Sequence, residues 1–116
     1  MKTHKELEVW KLSVELVSDI YKITKQFPKE ELFGITNQIR RAAVSIPANI
    51  AEGAGRHGLG ELKQFIGIAK GSLAELETLM IISKNLDYLN EEDFENITLK
   101  LTSIFKMLSG LSKSLS

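Results

Sequence analysis

The stretch Gln38–Gly53 constrains this chain more than any other. Ile39, Ala43, Ile46, Ile50 and Ala54 recur at helical spacing, and Gln38, Arg41, Ser45, Asn49 and Glu52 recur at intervals of three or four on a second face. Pro47 falls in the middle. A proline inside a helix removes one backbone hydrogen bond and crowds the carbonyl four residues back, at a cost of ~3 kcal/mol or more. The pattern predicts a helix kinked at Pro47, carrying an apolar stripe and a polar one, in surroundings that make the proline acceptable.

Three further helical patterns flank it. Residues 5–26 carry two apolar stripes: Leu7, Trp10, Val14, Val17, Tyr21 with Thr24, and Val9, Leu12, Leu16, Ile20, Ile23 with Phe27. Two stripes are more than a one-sided surface helix needs. This helix is expected either at the centre of the domain or with its second face against another subunit. Phe27-Pro28 ends it, because the residue before a proline is pushed out of helical geometry. Pro28–Leu32 reads as a connector with one short turn, Pro28 at its first position, and Gly34 breaking it. Thr36 is the expected N-cap of the second helix, 37–56. Gly53, Gly55, Gly58 and Gly60 close that helix.

The third helix is expected over 60–86, with Leu62, Phe65, Ala69, Leu73, Leu76 and Met80 on its core stripe. Gly67 and Gly71, small residues one turn apart, would let a neighbouring helix come close. Asn90 followed by Glu91, Glu92 and Asp93 is a clear helix start, with a capping side chain and acids in the positive first turn. The fourth helix runs over 91–113, and residues 112–116 are expected to fray. No segment alternates with a period of two long enough for a strand. Four helical patterns with short connections make one all-α domain over 1–116, an antiparallel up-down-up-down four-helix bundle with a proline-kinked second helix.

Composition narrows the function. Fifteen basic and fifteen acidic residues give a formal net charge of zero, which argues against a general electrostatic nucleic-acid binder. There is no cysteine, so disulfides, thiolate metal sites and a cysteine nucleophile are excluded. No apolar signal-peptide core and no membrane-spanning run are present, and the expected location is the cytoplasm. His4 and His57 have no partner at triad or metal-ligand spacing. The Glu-x-x-His pair of di-iron bundles is missing. The glycine-rich segment around Arg56 and His57 matches neither a P-loop nor a dinucleotide fingerprint. No catalytic, cofactor or metal site is expected, and the chain reads as a non-enzyme.

The polar stripe admits two readings. In one, Gln38, Arg41, Ser45, Asn49 and Glu52 form a buried or half-buried structural network with Ser72 and Glu75 of the third helix, and Ser45, Asn49 or water serves backbone groups freed near Pro47. In the other, it is a binding face. All three arginines lie between residues 40 and 56, and guanidinium groups suit paired hydrogen bonds to phosphate. Arg40, Arg56, His57 and Lys63 are the candidate contacts to nucleic acid or a partner. A deep pocket lined by Arg41, Asn49, Glu52 and Glu75 would instead favour a small-molecule binder or an enzyme.

The run Gln38–Gly53 resembles the signature of the four-helix bundle proteins of the 23S rRNA intervening-sequence type, the S23 ribosomal protein family. Leu7-Glu8-Val9-Trp10, Phe27-Pro28, Ile68–Leu76 and Leu86-Asp87-Tyr88-Leu89 agree in the same order. The resemblance covers almost the whole chain. It implies a four-helix bundle that assembles as a ring-shaped homopentamer, without enzymatic activity or cofactor. It also implies a likeness to the accessory variability determinant of diversity-generating retroelements, a pentameric bundle that binds nucleic acid and a reverse transcriptase. Those relatives tend to be basic, whereas this chain is neutral. The expected function is a non-catalytic oligomeric scaffold or adaptor engaging RNA, DNA or a nucleic-acid-processing protein. The alternative is a protein-interaction module with no nucleic-acid role.

Overall fold

Each of the four periodic patterns forms one helix in a computed structural model, which describes residues 4–115. They are α1 (Glu8–Thr24), α2 (Ile35–Ala54), α3 (Leu59–Asn85) and α4 (Glu91–Ser114). Single 3-10 turns at His4–Glu6 and Lys29–Glu31 stand before α1 and α2. The helices pack in a closed cycle, α1 on α2, α2 on α3, α3 on α4 and α4 on α1, without diagonal packing among the described residues. Along α2 and α3, Ser45 meets Ser72 while Gly53 faces Leu62 and Phe65, so the chain senses are opposed. Lys70 over Phe105 and Lys84 over Phe94 show the same opposition between α3 and α4.

The core is one cluster assembled from the inward stripe of each helix. Val9, Leu16 and Ile20 come from α1, Ile39, Ile46 and Ile50 from α2, Leu62, Ile66, Leu76 and Met80 from α3, and Ile97, Ile104 and Leu108 from α4. Burial of this apolar surface, at roughly 25 cal/mol per Å², drives the packing. Of the two stripes on α1, the one through Leu16 and Ile20 is buried, whereas Val14 and Tyr21 of the other are exposed. Trp10, the only tryptophan, packs at the core margin with its ring 5.1 Å from that of His4.

Several boundaries differ from the sequence pattern, each for a local reason. Residues 5–7 do not continue α1 as one helix: a 3-10 turn precedes it and Leu7 caps it in an extended conformation. Thr36 is no cap. Gly34 takes that position, and Thr36 lies buried inside the first turn, its hydroxyl without a partner. Pro28 caps its 3-10 turn from outside. Gly53 lies within α2 and does not close it. A Cβ there would come 2.7 Å from Cβ of Phe65, so this glycine sets the close approach of α2 to α3. Gly67 and Gly71 have no such role inside the bundle: both are exposed, and a Cβ on either would meet nothing within 4 Å. Residues 112–114 continue α4 as helix, and Ser116, expected to fray with them, lies outside the described residues.

Pro47 is buried inside α2. Its missing N–H leaves the carbonyl of Ala43, four residues earlier, without its usual donor. Asn49 does not serve that carbonyl; its Nδ2 donates to the carbonyl of Ser45 at 2.7 Å.

Candidate interaction groove

The polar residues of α2 separate into distinct places. Ser45 and Ser72 share a hydrogen bond of 2.8 Å across the α2–α3 seam, and Asn49 donates to the Ser45 hydroxyl at 2.9 Å. These three are half-buried or buried and form the structural polar cluster. Gln38, Arg41, Glu52 and Glu75 are exposed and do not join it. They sit at the outer edge of the polar stripe, where hydration satisfies them at no packing cost. The deep pocket that would favour a small-molecule site is missing among the described residues. A shallow open cleft is found there, lined by Gln38, Arg41, Ser45 and Glu75 but not by Asn49 or Glu52.

The arginines also part company. Arg56, at the end of α2, pairs with Glu52 at 2.6 Å and lies 3.9 Å from Glu61. Its guanidinium stands over the Phe65 ring, 5.3 Å from the centroid. Two carboxylates already offset its charge. His57 and Lys63 are exposed near this end, on the turn and the first part of α3.

Arg40 is built in at the other end of α2. Its Nε donates to the hydroxyl of Thr24 at 3.0 Å, and that hydroxyl donates onward to the carbonyl of Ile20 at 2.7 Å. The guanidinium lies over the Tyr21 ring, 4.6 Å from its centroid. Thr24 is the last residue of α1, where exposed carbonyls give partial negative charge that a guanidinium complements. Arg40 is thereby fixed by three interactions with α1, and its terminal nitrogens make no bond among the described residues. Arg41, one residue on and exposed, makes no hydrogen bond or ion pair among them either.

Arg40 and Arg41 line an open groove between α1 and α2, together with Tyr21, Leu32, Phe33, Asn37, Val44 and Ser45. No carboxylate lines it. Phe33 is 91% exposed, the most exposed large apolar side chain among the described residues. The turn that carries it is anchored from behind: Tyr88 donates to Glu31 Oε2 at 3.0 Å and its ring packs against Phe27 at 5.6 Å. The bond to the Glu31 carboxylate raises the Tyr88 hydroxyl above its ordinary titration range, with desolvation and the charges of Glu31 and Glu30 adding to it.

Nothing in the helical periodicity points to this groove, because residues 28–34 read as a plain connector. The signal was available: Leu32-Phe33 is an apolar pair in an otherwise polar connector, outside every helical stripe. Among the described residues no cluster of three or more histidines, aspartates and glutamates could hold a metal ion. No helix there is long and apolar enough to cross a membrane.

Comparison with known proteins bears on all of this. The model of the 23S rRNA-intervening sequence protein family matches residues 5–110. A crystal structure of a protein of unknown function from the S23 ribosomal protein family of Bacteroides thetaiotaomicron superposes with a TM-score of 0.84 at 27% identity, over 90% of this chain and 95% of that one. No curated protein matches the chain.

Proposed function

The chain belongs to the 23S rRNA-intervening sequence protein family, and from that premise we propose that it is a non-catalytic, self-assembling scaffold, a homopentamer of up-and-down bundles working in the cytoplasm. One observation carries the self-assembly. Parts of the outward face of α3 are apolar or bare: Ile68, Ile81 and Ile82 are each at least 40% exposed, and Gly67 and Gly71 carry no side chain, with Glu75 and Thr78 exposed among them. Exposed apolar side chains grouped on one helix suit an interaction surface, and the bare glycines admit a close-packed helix from a second copy. A closed ring needs a second, different patch on each subunit. The exposed outer side of α1 at Val14 is available for it.

Sedimentation equilibrium tests the assembly. A pentamer of 13.0 kDa chains gives about 65 kDa. A monomer at tens of micromolar overturns the proposal. Gly71→Lys plants a long cation on the α3 face, and we expect it to lower the assembled mass while helix content stays unchanged.

A nucleic-acid role is the second reading, favoured by the guanidinium groups of Arg40 and Arg41, which make no ion pair among the described residues. Five copies of a weak basic patch around a ring add avidity despite zero net charge. A mobility-shift series with structured RNA and duplex DNA across salt concentrations tests it. Absence of binding at low salt, with the assembly intact, removes this reading and leaves a protein-interaction module.

A further inference from the structure

We propose that the groove between α1 and α2 docks a protein segment that presents carboxylates beside bulky apolar side chains. This goes beyond the assembly reading and stands whether or not the chain forms a ring. Charge is the first argument. In a chain of zero net charge, two of the three arginines line one groove from which carboxylates are missing. The third arginine, by contrast, is held between Glu52 and Glu61. A groove of this sign complements an acidic partner.

Preorganisation is the second argument. Arg40 is locked by Thr24 and the Tyr21 face before any partner arrives, so little side-chain entropy is lost when its terminal nitrogens take a carboxylate. Glu31, on the preceding turn, accepts from the Tyr88 hydroxyl and does not line the groove. Glu30, on the same turn, is exposed but does not line the groove.

Apolar character is the third argument, and it selects protein over nucleic acid. Phe33 at 91% exposure, with Leu32, Val44 and Tyr21 each at least 40% exposed, makes one apolar wall around the two cations. Docking sites of this kind take their energy from an aromatic anchor and an arginine in a desolvated centre. Single-stranded nucleic acid would use a long basic track with successive stacking rings. Here two rings line the groove, and one of them, Tyr21, is already covered by Arg40.

The test is selection of a random 16-residue peptide library displayed on phage against the intact chain, followed by fluorescence anisotropy with the selected peptides. Enriched sequences should carry Asp or Glu next to Leu, Phe or Trp. Their affinity should fall at least about tenfold on Arg41→Glu and on Phe33→Ser, and hold for Arg56→Glu. Arg41 and Phe33 are exposed, so circular dichroism and thermal melting should show both variants folded. Failure to enrich, enrichment of sequences without acids, or affinities indifferent to both variants overturns the proposal. So does a result in which these variants abolish only binding of a labelled single-stranded oligonucleotide, or change only the sedimentation mass. Those two outcomes assign the groove to nucleic acid or to a second copy.

Discussion

Tyr88 shows how much one hydroxyl can do at the residue scale. It joins the α3–α4 connector to the turn before α2, and the groove wall stands on that turn. The sign of its titration follows from the raised position of the hydroxyl. The bond's contribution to stability is fully present below the ordinary tyrosine range near 10 and is lost as pH rises through the higher folded value. Melting temperatures of the wild type and Tyr88→Phe should therefore differ at neutral pH and converge in strong alkali. A difference that persists unchanged above that range would detach the bond from the stability. Gly53 is the other decisive single residue. Gly53→Val gains helix propensity but drives its side chain into Phe65 and Leu62, and should destabilise by about 1–3 kcal/mol in chemical denaturation.

At the scale of elements, the four helices were legible because their apolar spacing repeats over many turns, and summed periodicity outweighs any single residue. Ends and edges were not. Thr36 has a good capping side chain, but the chain reaches α2 two residues earlier through Gly34, so tertiary placement overrode local preference. The polar stripe was legible as a stripe, yet spacing cannot tell how far a face turns toward its neighbour. Ser45 and Asn49 lie at the seam while Gln38, Arg41 and Glu52, on the same face by spacing, stay in water. Spacing does not say what a small residue faces, either: Gly53 serves α3, and Gly67 and Gly71 look outward. Gly71→Ala, measured on the dissociated chain, should raise stability by about 0.5–1 kcal/mol, because nothing opposes the added methyl.

Across the whole molecule, the cycle of helices closes where α1 meets α4, and a half-buried ion pair, Asp19 with Lys100, straps that seam. Lys100→Ala leaves the Asp19 carboxylate partly desolvated without its partner. We expect a loss of about 1 kcal/mol, shrinking as salt is added, read from denaturation midpoints across ionic strength. Zero net charge was visible in the composition, but its layout was not. Arg40 and Arg41 form no ion pair among the described residues whereas Arg56 is paired with Glu52 and Glu61, a division that only three-dimensional proximity creates.

The ring of Trp10 beside His4 makes this chain its own spectrometer. As the sole indole, Trp10 owns the emission excited at the red edge of the absorption band, and the nearest aromatic ring to it belongs to the N-terminal turn. With the two rings 5.1 Å apart, the indole emission responds to the docking of that turn onto α1. The light from this molecule thus reports the His4–Glu6 turn. The Arg40–Phe33 groove is silent in it, and an occupant there must carry its own dye to be seen.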